Sequence, residues 1–247
     1  MRGETMEEEK KENWWQRNWL SIVVVAVLLV AYFLINAFVV STVRVSGPSM
    51  EPNLVDKERL AVYRMLTPQR GDVISFNAVG VDPKLGNVKG NYLYIKRVIG
   101  LPGDTVSFKN NKLLVNGHQV NQNFISKYQG TTATRNLDTD DKNWTLVSLY
   151  KDSQTIKQTD PNNQNEQKIY PWLIAVGSNN KVPANCYFVL GDHRSVSNDG
   201  RYFGFVPKNK IIGVNKSFPW SRGNNYYINR YHHEFFEDKN QNNPNIK

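Results

Sequence analysis

Between Asn18 and Val43 the chain carries no charged side chain for 26 residues, and from Leu20 to Val40 it is apolar almost throughout. At 1.5 Å rise per residue such a run spans about 30 Å of hydrocarbon, so it predicts a transmembrane helix over residues 20–41. Its apolar centre is longer than that of a cleaved signal peptide, and Arg44 follows it directly. Trp14, Trp15 and Trp19 stand where an interfacial aromatic belt is expected. After residue 43 the pattern changes to short runs rich in Val, Ile, Tyr and Phe, separated by Gly, Pro, Asn and Asp. That alternation predicts a β domain with tight turns and strands near 59–64, 72–76, 92–99, 105–108 and 187–190. Residues 106–108 and 113–115 predict a hairpin across 109–112, and Asn116-Gly117 marks the next turn. No helical period of useful length follows residue 43. Residues 151–168, rich in Gln, Asn, Lys and Asp, predict a surface loop, and residues 241–247 a disordered end.

The length of 247 residues allows the apolar segment plus one sizeable domain. Cys186 is the only cysteine, so no disulfide joins parts of the chain, and its apolar surroundings predict a small buried hydrophobe. Residues 1–19 hold four basic and five acidic side chains, so of the net charge of +9, +10 lies beyond the helix. Such a domain is drawn to anionic lipid; the charges form no basic stripe of the kind that binds nucleic acid, and no nucleic-acid partner is expected. Lysines and arginines are balanced on the two sides of the span and do not orient it. His118, His193, His232 and His233 lack zinc-site spacing and there is no phosphate-binding glycine loop, so neither metal nor cofactor is expected.

Three segments carry candidate chemistry. In Val45-Ser46-Gly47-Pro48-Ser49-Met50-Glu51-Pro52 a serine is held between two prolines and preceded by a glycine, which fixes the backbone where a nucleophile and its own N–H must both face a carbonyl. In Tyr92 to Asp104, strand alternation puts Tyr94, Lys96 and Val98 on one face and Ile95, Arg97 and Ile99 on the other. With largely apolar neighbours the Lys96 ammonium is poorly solvated, which lowers its pKa from about 10.4 toward the ~7–8 of a general base. In Gly191-Asp192-His193-Arg194-Ser195-Val196-Ser197-Asn198-Asp199-Gly200-Arg201, alternating carboxylates, guanidinium groups and hydroxyls suggest a hydrogen-bonded network.

Taken in order, Gly47 to Pro52, Arg70-Gly71-Asp72-Val73, Lys96 to Asp104 and Gly191 to Arg201 resemble the bacterial type I signal peptidases, serine proteases with a Ser/Lys dyad, in their single-span Gram-positive form. With the anchor, the likeness covers residues 20 to about 215. It implies a mostly antiparallel β catalytic domain behind an N-terminal transmembrane helix, with a smaller inserted β lobe. The division expected is a cytoplasmic N-terminus at 1–19, the helix at 20–41, an extracytoplasmic domain at 42–220 and a tail at 221–247. Within the domain the core is expected at about 42–104 and 186–220, and the lobe at about 105–185. The resemblance also implies that Ser49 is the nucleophile with its backbone N–H facing the oxyanion, that Lys96 is the base, and that the Ser197 hydroxyl orients the Lys96 amine. Asp199 pairs with Arg97 or Arg201, with Asp192 and Arg194 in the same network. The resemblance further implies that Val45, Met50, Leu54, Tyr94 and Ile95 wall pockets for small side chains, and that the substrates are signal peptides of secreted preproteins, cut after Ala-X-Ala at a plasma membrane.

Three positions depart from the family. Gly47 replaces a serine that in some relatives helps bind the oxyanion, Gly200 stands where serine is common, and His193 stands where asparagine is usual. His193 leaves a Ser/His pairing as an alternative to the dyad. Two further alternatives are a self-cleaving repressor of Ser/Lys type, which would need a DNA-binding module where this chain has its apolar run, and a non-catalytic membrane-anchored assembly factor of the same fold.

Overall fold

The computed structural model describes residues 14–34, 40–86, 88–125, 143–149, 151 and 180–242. They fall into two units, one ending at Val40 and the other running from Ser41. In the first, helix α1 (Trp14–Leu34) exposes Trp14, Trp15, Trp19 and nearly every apolar side chain from Leu20 to Phe33. It starts six residues earlier than expected and does not reach residue 41, because Val40 and Ser41 already belong to a strand. Its apolar part, from Leu20 to Leu34, rises about 22 Å, short of a hydrocarbon core of about 30 Å. Among the described residues, no helix is long and apolar enough to cross a membrane.

The second unit is built on β1 (Val40–Arg44), β2 (Arg59–Tyr63), β3 (Val73–Asn77), β4 (Leu93–Gly100), β5 (Val106–Lys109), β6 (Lys112–Val115), β7 (His118–Gln119), β8 (Trp144–Thr145), β9 (Cys186–Leu190), β10 (Phe205–Pro207) and β11 (Ile211–Ser217). One sheet has the order β1-β2-β11-β3-β4-β9-β10, and a smaller one the order β7-β6-β5-β8. From β2 to β10 every pairing is antiparallel, as are all pairings of the small sheet. The expected hairpin is present with a tighter turn: Lys109 faces Lys112, and Asn110 and Asn111, at φ of 49° and 63°, close a two-residue loop whose twist matches the strands. Asn116 and Gly117 repeat the device before β7.

Alternation along β4 sorts its side chains as predicted. Tyr94 and Val98 join a core with Ile74, Phe76, Val189, Phe203 and Val206; Ile95 packs with Val45, Met50, Leu54, Leu60 and Val73; and Ile99 joins the core under the small sheet. Cys186 is buried in that last core, and burial pushes its thiol pKa up, so it behaves as a small hydrophobe. The expected loop at 151–168 lies outside the described residues, apart from Lys151.

Residues 221–242 are not a tail. An α-helix at Asn225–Asn229 and one-turn 3-10 helices at Tyr231–Glu234 and Lys239–Asn242 fold back on the domain. Tyr231, Phe235 and Phe236 are buried with Phe124 and Val120, and Ile228 is buried beside Met50 and Leu54. Gly71 admits this packing, since a Cβ there would lie 3.0 Å from the Tyr231 ring and 3.2 Å from Phe235. A Phe235→Ala variant should therefore lose about 3–5 kcal/mol of stability by chemical denaturation, as for other buried aromatic truncations. A loss under about 1 kcal/mol, as at surface sites, would show that this segment is not part of the core.

Candidate active site

Ser49 lies in a string of turns after β1. The N–H of Glu51 bonds the Pro48 carbonyl at 3.0 Å, those of Asn53 and Leu54 bond Met50 at 3.1 and 3.0 Å, and Asp56 accepts from the Gly47 N–H at 3.0 Å. Gly47 has φ +86°, a left-handed value that favours glycine. The Ser49 carbonyl accepts from the His193 N–H at 3.1 Å, which ties this segment to the loop that follows β9. The Ser49 N–H has no acceptor among the described residues.

Lys96 stands mid-strand opposite Ile74 of β3 and is only 4% exposed. Its Nζ is 2.8 Å from Ser49 Oγ and 5.4 Å from the centre of the Tyr94 ring. Burial lowers its pKa to about 8; Asp199, Asp192 and Asp82 oppose this and Arg201 adds to it. At that value a large share of the amine is neutral near pH 8, and a neutral amine accepts the hydroxyl proton.

Beneath the pair lies a buried ion network. Arg97, next to Lys96 but on the other face of β4, forms a two-pronged pair with Asp192 at 2.8 and 2.6 Å. The same guanidinium donates to the carbonyls of Gly71 and Tyr227, both at 2.7 Å, and lies over the rings of Phe124 at 4.5 Å and Tyr231 at 5.1 Å. Asp199 pairs with Arg201 rather than with Arg97, at 2.9 and 3.0 Å, and also accepts from the Gly191 N–H. Burial pushes the Asp199 carboxyl up, but Arg201 outweighs this and the net shift is downward. Arg194 donates to the Gly191 carbonyl and to Gln122, and burial and the nearby Arg201 lower its pKa to about 10.

The structure thus brings together Ser49, Lys96, Arg97, Asp192, Arg194, Asp199 and Arg201. Two expectations need correction. Among the described residues Ser197 Oγ makes no hydrogen bond, so it does not hold the Lys96 amine. It is pressed against Gly191, where an added Cβ would fall 2.0 Å from it. Leu54 does not line the cleft; it is fully buried behind Met50. The cleft, about 520 Å³, is lined by Val45, Ser49, Met50, Tyr94, Ile95 and Lys96 among others. His193 turns Nδ1 to the Pro48 carbonyl at 3.2 Å, and among the described residues it is Lys96, not His193, that bonds Ser49 Oγ.

Sequence reasoning missed Asn53, whose amide donates to Asp192 and to the Phe124 carbonyl, both at 2.8 Å, and thereby joins the turn that follows Ser49 to the ion network. Its one signal was its position directly after Pro52. It also missed Asp82 and Gln122, which stand in no recognisable motif.

A serine hydroxyl against a buried amine, with paired carboxylates nearby, has the geometry that a serine hydrolase would need if lysine took the place of histidine. Residues 16–220 match the family model "Signal peptidase, peptidase S26". The chain belongs to the signal peptidase family, peptidase S26. It is 31% identical over 181 residues to signal peptidase IB of Staphylococcus aureus (strain Mu50), covering 71% of this chain and 75% of the relative. It is 33% identical over 184 residues to signal peptidase I P of Bacillus subtilis subsp. natto, covering 72% and 76%. The solved structure of a signal peptidase I from Enterococcus faecalis V583 is 30% identical, covering 60% of this chain and 97% of that one, with a TM-score of 0.35.

Gly191 makes the tightest contact of the site: a Cβ there would also lie 2.6 Å from the Ser49 carbonyl. Gly191→Ala must therefore push the Ser49 segment or Ser197 aside, a strain of about 1–3 kcal/mol. We expect kcat/KM to fall by roughly ten- to a hundred-fold or more. An unchanged rate would mean that the loop yields without moving Ser49.

Proposed function

We propose that Ser49 and Lys96 are the nucleophile and the general base with which this signal peptidase removes signal peptides from secreted preproteins. The observation that carries the reading is the 2.8 Å contact between Ser49 Oγ and a buried amine whose pKa is lowered to about 8. The neutral amine takes the Oγ proton while Oγ attacks the scissile carbonyl carbon. The tetrahedral intermediate places its oxyanion toward the Ser49 N–H, then collapses with transfer of the Lys96 proton to the departing amine, leaving an ester on Ser49. Water, deprotonated by the same amine, cleaves the ester and restores the hydroxyl. The buried ion pairs hold the framework and react with nothing.

β9 pairs with β4 only from Arg97 onward, which leaves the edge from Leu93 to Lys96 open beside the cleft. An extended substrate adds there as a further strand, presenting alternate side chains to the walls made by Val45, Met50, Tyr94 and Ile95. These bulky walls favour alanine before the cut and two positions earlier.

Helix α1 serves this reading as the core of a single-pass anchor. Its exposed apolar side chains suit lipid, the tryptophans suit an interface, and the uncharged run continues in sequence to Val43. The catalytic domain then lies on the extracytoplasmic side of the plasma membrane, where preproteins emerge, with its basic surface toward anionic lipid.

Ser49→Ala and Lys96→Ala should each lower turnover of a signal-peptide substrate by several orders of magnitude while the fold is kept, because members of one reacting unit fail together. The wild-type rate should rise with pH through a value near 8, since the protonated amine is inactive, and His193→Asn should keep that limb. Activity surviving in Lys96→Ala, or a limb that disappears with His193, would remove the assignment of the base.

A further inference from the structure

Asp82 is 3% exposed and stands close to the cleft, though none of the family motifs contains it. Its backbone N–H bonds the Ala78 carbonyl at 2.9 Å, and Pro83 follows it at the start of the one-turn 3-10 helix Pro83–Leu85. Its Oδ1 accepts from the Lys84 N–H at 3.0 Å, which caps that turn. The backbone around Asp82 is thus set before its second oxygen is used.

That oxygen, Oδ2, accepts from the Tyr94 hydroxyl at 2.6 Å and from Asn198 Nδ2 at 2.5 Å. Tyr94 comes from β4, and Asn198 from the loop between β9 and the one-turn helix Gly200–Phe203. Both line the cleft that holds Ser49 and Lys96. Hydrogen bonds to a charged acceptor are about twice as strong as neutral ones, and these two are shielded from water by the burial of Asp82. Burial first, and then the bond to Asp82, raise the Tyr94 phenol far above its ordinary value, so it stays a donor at every working pH. One carboxylate therefore sets the distance between side chains that two separate elements contribute to the substrate cleft.

We propose that Asp82 is a positioning residue for specificity, which clamps Tyr94 to Asn198 and so fixes the width of the pocket that receives the small side chains of the substrate. This deepens the reading of Ser49 and Lys96 as the reacting pair, and rests on it. The clamp acts through shape: without it, the Tyr94 hydroxyl loses its charged acceptor, and the ring is held by packing against Phe76, Tyr92 and Phe203 and by the Lys96 amine over its face, contacts that permit tilting. A wider pocket admits a larger residue before the cut.

Asp82 has a second effect that a purely structural residue would lack. The groups acting on the Lys96 amine are Asp199, Asp192 and Asp82, which favour its charged form, and Arg201, which disfavours it; Ser49 and the Tyr94 ring complete its surroundings. Removing the Asp82 charge lowers the pKa of Lys96, and the acidic limb of kcat/KM then moves to lower pH.

The test uses the full-length chain in detergent micelles and two peptides, one with Ala-X-Ala before the cut and one with Ala-X-Val. Asp82→Ala should reduce the preference for alanine over valine in kcat/KM by at least about ten-fold, mainly through faster cleavage of the valine peptide. Tyr94→Phe and Asn198→Ala, which each delete one arm of the clamp, should reduce it several-fold, and Asp82→Asn should shift the acidic limb downward. Tyr94→Phe removes a single oxygen and carries the test if Asp82→Ala fails to fold. Wild-type enzyme that leaves the alanine peptide uncut, or activity surviving in Ser49→Ala, would overturn the reading of the site and the proposal with it. Wild-type cleavage with unchanged preference in the clamp variants, or an acidic limb that stays in place in Asp82→Asn, would overturn the clamp alone.

Discussion

The structure depends first on the buried pair of Arg97 and Asp192. Both side chains are fully excluded from solvent and meet at 2.6 Å. Removing either partner of such a pair leaves an uncompensated charge, at a cost of about 3–5 kcal/mol. Everything near the site is arranged so that neither partner is left short. Asp192 also accepts from Asn53 in the turn after Ser49, and Arg97 also donates to the carbonyls of Gly71 and Tyr227 and lies over two aromatic rings. One ion pair therefore joins the lysine strand, the nucleophile turn, the loop after β9 and the C-terminal segment.

The same network bears on the charge state of the Lys96 amine. Burial alone favours its neutral form, while three carboxylates favour the charged form. Two of these, Asp192 and Asp199, are each matched by an arginine, so their pull on the amine is moderated. The result is an amine poised near pH 8 rather than one locked in either state.

How far the sequence discloses this follows from what strand alternation encodes. It shows which side chains share a face, and Tyr94, Lys96 and Val98 fall together for that reason; the turn chemistry of Asn116-Gly117 places the next reversal. Alternation carries no information on which arginine meets which carboxylate, so it leaves Asp199 open between Arg97 and Arg201. Nor does it report the rotamer of Ser197 or the depth of Leu54, both of which are set by contacts with distant residues, Gly191 and Met50. Residues 221–242 read as a tail because Asn, Arg and His interrupt them. Their signal was the spacing of Tyr227, Tyr231 and Phe235, one aromatic every four residues, too short a run to stand out without the surface it covers. Asp82 is invisible in sequence because its partners lie 12 and 116 positions away.

The half-open edge of β4 has a consequence for what the enzyme spares. If the substrate adds at the stretch Leu93 to Lys96 as proposed, only a chain segment whose own backbone groups are free to pair can be taken there. A strand inside a folded protein has already used those groups, and a helix turns them inward. Selection by backbone availability would then act before any side chain is inspected, and a secreted protein that has folded would be safe wherever alanines occur in it. Only the extended stretch between its leader and its first folded element remains open to attack.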